Sequence, residues 1–129
     1  VRLVVDTNIL ISALLVDASL PAHLIGLWRD SRFDLLTSAE QLDELMRVTR
    51  YAKIRERLAP PLAGRLINEL RDVAIVVRNL PAVTVSPDPD DNYLLALAAA
   101  GAADFLVTGD NPHHAAKALS ENKMISDRL

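Results

Sequence analysis

The chain begins with a short apolar run, Leu3, Val4 and Val5, that stops at Asp6. Apolar residues with no polar alternation, two of them β-branched, predict a strand buried on both faces. Thr7 and Asn8 are both good N-cap types, and they lead into an apolar helix over residues 9–15. Pro21 opens a second helical stretch that runs to residue 30. Residues 33–36 predict the next strand. Thr37 and Ser38 follow it, and each stands three residues ahead of a side chain (Glu40, Gln41) that completes capping-box spacing. Leu42, Leu45, Met46 and Thr49 would form the inner face of that helix. Pro60 and Pro61 start another, with Leu62, Leu66, Ile67 and Leu70 at helical spacing, and residues 74–77 read as a third strand. Residues 80–90, with Pro81, Pro87 and Pro89, read as a loop. A helix is expected over 91–100, with Gly101 as its C-terminal stop. A fourth strand over 105–108, a helix over 112–121 and a short strand over 124–126 complete the pattern.

Strands that alternate with helices predict an α/β fold: a three-layer α/β/α sandwich around a mostly parallel sheet of about five strands, with residues 1–129 as a single domain. In such sheets ligands sit beyond the carboxyl ends of the strands, where the strand order reverses. That rule draws the eye to Asp6, which ends the first strand, and Asp110, which follows the fourth.

Composition narrows the chemistry. Half of the 129 residues are hydrophobic, which is enough for a substantial core and excludes a disordered chain. There are no cysteines, so disulfides and thiolate metal sites are excluded, and any metal would be held by oxygen or imidazole. No apolar run is long enough to span a membrane, no basic leader with a cleavage site opens the chain, and a cytoplasmic location is expected. The formal net charge of −3 gives no global attraction to nucleic acid, so such binding would depend on local basic patches and bound cations. One patch stands out: Arg47, Arg50, Lys53, Arg55, Arg57, Arg65, Arg71 and Arg78 fall among few acids. The solvated faces of two helices would explain it equally well.

The candidate functional residues are four acids: Asp6, Glu44, Asp91 and Asp110. Gathered at one sheet edge they would repel one another unless a cation neutralised them. A hard divalent ion takes such oxygen ligands, and the combination suits phosphodiester hydrolysis. Each acid alone has an ordinary role as a helix cap, turn residue or solvated helix position. Asp90 and Glu40 compete with Asp91 and Glu44, since each lies beside its rival or one helical turn from it. His113 and His114 are neighbours on an expected helix and point about 100° apart, which argues against their sharing an ion. His23 is isolated, and no role is assigned to Asp88.

Taken together, the motifs resemble those of the PIN (PilT N-terminus) domain family. Residues 3–10, Leu-Val-Val-Asp-Thr-Asn-Ile-Leu, resemble the family's first motif. Ser38 with Glu44 and Leu45 resembles the second. Asp91, opening the Ala-rich run through Ala98, resembles the third, and Leu106 to Asp110, a strand followed by Thr-x-Asp, resembles the fourth. The four occur in the family's order. The resemblance implies an endoribonuclease dependent on Mg2+ or Mn2+, with one or two ions held by Asp6, Glu44, Asp91 and Asp110. Asp6 and Asp91 would hold the principal ion, while Glu44 and Asp110 would hold a second or position the attacking water. Asn8 would orient the first carboxylate, and Thr108 would be a polar neighbour. The Asp88-Pro89-Asp90-Asp91 loop is similar to that of a toxin subgroup, and VapC-type toxins are the broader comparison. RNA as substrate and a cognate antitoxin protein as partner are implied with it.

Two other readings compete. A non-catalytic PIN-like module would bind RNA or protein, although intact acids at all four positions argue against a decayed site. A receiver-like phosphoacceptor domain would need paired acids after the first strand and an acceptor Asp after the third, and neither is present. Apolar faces around residues 9–27 and 62–70 suggest a homodimer, in which the basic regions of two subunits could line one RNA groove.

Overall fold

The computed structural model describes the backbone of residues 1–80 and 89–107, and the side chains of these except residues 89–91. Four strands, β1 (Arg2–Val5), β2 (Asp34–Ser38), β3 (Ile75–Val77) and β4 (Phe105–Val107), form one sheet. Its order is β3-β2-β1-β4 and every pairing is parallel. The helices are α1 (Thr7–Leu15), α2 (Leu20–Arg29), α3 (Ala39–Val48), α4 (Ala52–Arg55), α5 (Pro60–Val73) and α6 (Pro89–Ala100).

The strands' apolar runs divide between two cores because successive side chains point to opposite faces. On one face Leu3, Val5, Leu35, Phe105 and Val107 pack with residues of α1, α2, α3 and α5, among them Leu10, Trp28 and Leu70. On the other, Val4, Leu36 and Leu106 pack against Leu94, Leu97 and Ala98 of α6. The result is the expected α/β architecture in three layers. Complete burial of a leucine such as Leu10 or Leu97 stabilises the fold by roughly 1.5–3 kcal/mol. The apolar residues of α1 and α2 lie mostly in this core: Ile9, Leu10, Ile11, Leu24, Ile25 and Trp28 are all buried. Among the described residues no single helix is long and apolar enough to cross a membrane.

Several details differ from the expected pattern. The cap of α1 is Asp6 rather than Thr7 or Asn8. Thr37 remains in β2, and only Ser38 caps α3, accepting from the Gln41 N–H. Leu62, which shares the helical spacing of Leu66, Ile67 and Leu70, is exposed while those three are buried. The single-turn helix α4 is too short to produce a periodic signal, and α6 begins at Pro89, two residues early, with proline in the first turn. Gly101 does follow α6, but the left-handed residue is Ala102 (φ 53°). Gly101 is needed for space: a Cβ there would lie 2.6 Å from Leu36 Cδ1. The described sheet has four strands, and the expected fifth, at 124–126, lies outside the described residues, as does the helix expected over 112–121.

Candidate active site

The chain passes from β1 outward through β2 to β3, then returns to place β4 on the other side of β1. The strand order therefore reverses between β1 and β4, and the crevice beyond their carboxyl ends is where this type of sheet accepts ligands. Asp6 stands at that point. Its backbone N–H donates to the Val107 carbonyl at 2.8 Å, so the two strand ends are held together. Its carboxylate accepts from the Asn8 backbone N–H at 3.1 Å. Asn8 thus contacts the carboxylate through its main chain, and its residue is exposed.

Glu44 reaches the same region from α3. Its side chain is only 13% exposed. The Tyr93 hydroxyl, from the first half of α6, donates to Glu44 Oε1 at 2.6 Å and lies 3.0 Å from Thr7 Oγ1. One phenol therefore ties three elements together: the start of α1, the middle of α3 and α6. Burial pushes the Tyr93 hydroxyl far above the usual phenolic range, and the bond to Glu44 raises it further. The contact with Thr7 acts in the opposite direction, while the negative charges of Glu44 and Asp6 add to the rise. Tyr93 accordingly remains a neutral donor, and both carboxylates act electrostatically on one hydroxyl. On the outer side, Arg47 approaches Glu44 Oε2 at 3.9 Å.

A second polar contact braces this arrangement from beneath. Gln41 is buried on the inner side of α3. Its Nε2 donates to the Val5 carbonyl at 2.6 Å, immediately before Asp6, and its Oε1 accepts from the Thr37 hydroxyl at 2.6 Å. The β1–β2 register ends at Val4↔Leu36. Gln41 therefore satisfies a carbonyl at the end of β1 and fixes α3, with Glu44 one turn along, to the strand that presents Asp6.

Of the four acids, Asp6 and Glu44 are thus brought to one locality. The backbone of Asp91 lies in the first turn of α6, two residues before Tyr93, whose hydroxyl anchors that turn to the same locality. Asp110 and Thr108, together with Asp88, His113 and His114, lie outside the described residues, as do the side chains of Asp90 and Asp91. Among the described residues no group of three acidic or histidine side chains converges. Glu40 is exposed and separate from the Glu44–Tyr93 contact. Tyr93 and Gln41 were not foreseen as site residues. The one signal for Gln41 was a lone amide four residues before Leu45 on an otherwise apolar face. For Tyr93 it was a phenol set among alanines and leucines.

A family model described as a PIN domain matches residues 2–112. The chain belongs to the PIN-domain family. PIN domains are generally nucleases acting on nucleic acid, and they typically bind divalent metal ions. No curated protein and no solved structure matches this PIN domain. The donor chemistry present suits such an ion: Asp6 and Glu44 offer hard carboxylate oxygens, and the sequence contains no thiolate to favour a softer metal.

Proposed function

We propose that this PIN domain is an endoribonuclease dependent on Mg2+ or Mn2+, and that it is the toxin of a toxin–antitoxin pair. The observation that carries the reading is the Tyr93 hydroxyl. It joins Glu44 to Thr7 next to Asp6, at the crevice where the strand order reverses. Two carboxylates drawn together at such a point repel one another, and a bound cation relieves the repulsion.

In this reading Asp6 and Asp91 hold the principal ion, while Glu44 and Asp110 hold a second or position the attacking water. Thr108 is a polar neighbour. When bound, the ions supply a hydroxide-like nucleophile near neutral pH and neutralise charge on the leaving oxygen. The chain's own part is preorganisation. Tyr93 fixes Glu44 through Oε1 alone, the Asn8 N–H orients Asp6, and Gln41 sets the distance between their two elements. A cognate antitoxin would act by covering this acidic cleft.

The test is cleavage of a mixed single-stranded and structured RNA pool with Mn2+ or Mg2+. Wild type is compared with Asp6→Asn, Asp91→Asn and an EDTA control. Cleavage by wild type alone supports the reading, and cleavage that survives either substitution removes that acid from the site. Folded wild type that binds metal but cuts no RNA would sink the nuclease assignment. Growth arrest on expression, relieved by Asp6→Asn, is expected of a toxin, and unimpaired growth would remove that part.

A further inference from the structure

A groove of about 440 Å³ lies between the end of α3 and α5, apart from the carboxylate locality. Its lining includes apolar Met46, Ala63 and Ile67 and three cations, Arg50, Arg55 and Arg71. Among the described residues Arg50 and Arg55 enter no ion pair or side-chain hydrogen bond, and Arg71 has only a 3.4 Å contact to Asn68. In a chain of net charge −3, such a concentration of unneutralised arginines in a concavity is a local exception. Tyr51, which follows Arg50 in the chain and lies outside the lining of the groove, is 51% exposed. Arginines with an available aromatic ring are the combination that holds single-stranded nucleic acid, the cations on phosphates and the ring on a base.

The groove's position adds to this. Glu44, Met46 and Thr49 lie on the same helix and its cap, and at 1.5 Å per residue Thr49 stands about 7.5 Å farther along the axis than Glu44. At about 100° per residue, Met46, Thr49 and Arg50 lie about 140–240° around the helix from Glu44, so a strand leaving the Glu44 region reaches the groove by passing round the C-terminal end of α3.

We infer that the α3–α5 groove binds the backbone of single-stranded RNA flanking the scissile bond, with Arg50, Arg55 and Arg71 on successive phosphates. This rests on the nuclease reading for the location of the cut, but the groove's affinity for RNA is measurable without any cleavage. An acidic protein segment is the competing occupant. It would use the same cations without needing Tyr51.

The experiment measures binding of a labelled mixed-sequence single-stranded RNA and of a matched duplex, in EDTA, across a salt series. The triple variant R50Q/R55Q/R71Q is compared with wild type, with R50K/R55K/R71K and with R32Q, an exposed arginine elsewhere. Each lost phosphate contact lowers the slope of log K against log salt by about 0.7 for single strands, so the triple glutamine variant should lose about 2. The lysine variant and R32Q should keep the wild-type slope. Tyr51→Ala should weaken single-stranded binding by about tenfold and leave the duplex unchanged. In metal, the triple glutamine variant should raise KM on long RNA and leave unchanged the cleavage of an oligonucleotide too short to reach the groove. Wild-type slope and affinity in a triple glutamine variant of unchanged thermal stability would overturn the inference and leave the nuclease reading standing. So would loss of binding to an acidic protein with RNA binding intact. Salt-sensitive binding through the three arginines without cleavage by wild type would uphold the groove and remove the nuclease reading. An absence of RNA binding by folded wild type would overturn the groove outright.

Discussion

Gln41→Leu isolates what holds the two carboxylate-bearing elements in register. The substitution keeps approximate volume and removes both polar ends of a side chain that is 1% exposed. Two partners are then stranded: the Val5 carbonyl and the Thr37 hydroxyl, on a residue that is fully buried. Neither can turn to water without moving the strand that bears it. A buried polar group left unsatisfied costs about 1–3 kcal/mol, so the two together, less a gain of about 1 kcal/mol from the apolar replacement, give a loss of about 1–5 kcal/mol. For a chain of this length each kcal/mol lowers Tm by roughly 3–5 °C, and a drop of about 10 °C is expected in thermal unfolding followed by circular dichroism. Thr37→Val made in the Gln41→Leu background removes one stranded group, and should recover about 1 kcal/mol. The same Thr37→Val made alone should destabilise, because it deprives Gln41 Oε1 of its donor. A Gln41→Leu protein within ~0.5 kcal/mol of wild type, or a double variant no more stable than the single, would refute this account of the brace.

Tyr93→Phe should cost about 1–3 kcal/mol through loss of the bond to the Glu44 carboxylate, and should raise the metal concentration needed for half-maximal cleavage. Unchanged metal dependence would remove Tyr93 as a positioning residue. Because the Tyr93 hydroxyl is raised when folded, the unfolded chain loses that proton first. Stability is therefore fully present below about pH 10 and falls as pH rises above it, and alkaline denaturation should show one fewer proton released in Tyr93→Phe. Gly101→Ala should destabilise by about 1–3 kcal/mol, since its Cβ would overlap Leu36 and lie 3.2 Å from the Leu97 carbonyl. A companion Leu36→Val change should recover part of that loss in chemical denaturation, and a failure to do so would point to the carbonyl contact instead.

Elements whose stability comes from local pattern were readable in the chain. Residues 3–5 declare a buried strand because no alternation is needed when both faces are covered, and Asp6 ends it because a charge cannot continue there. Ser38 declares a helix start through a cap that acts within three residues. Features that depend on distant partners were not readable. Thr37 and Ser38 are equivalent as caps on spacing, and only the position of Gln41 relative to β1 assigns Thr37 to the strand. Gly101 resembles any helix-ending glycine until Leu36, far off in sequence, is seen to occupy the space beside it. Leu62 fits the helical period of α5, yet it is exposed while Ala63, beside it in the same turn, is buried. For the candidate site, the motif order pointed to Asp6 and Glu44, and the structure places both near the Tyr93 hydroxyl. The phenol that links them was not legible, because a hydrogen bond between residues 44 and 93 leaves no trace in local spacing.

The strand that carries Asp6 comes first in the chain but lies inside the sheet, and one of its neighbours comes from the far end of the described residues: the Arg2 N–H meets the Asp104 carboxylate, 102 residues away. During synthesis from the N-terminus, β1, α1 and the helices after it emerge without the element that completes them. Long-range closure of this kind is slower than the formation of local helices. Until β4 and the turn of α6 bearing Tyr93 have been made, Glu44 has no phenol to hold it and the edge of β1 stays open. A chain whose synthesis has not yet passed β4 therefore lacks the contacts that hold Glu44 beside the end of β1.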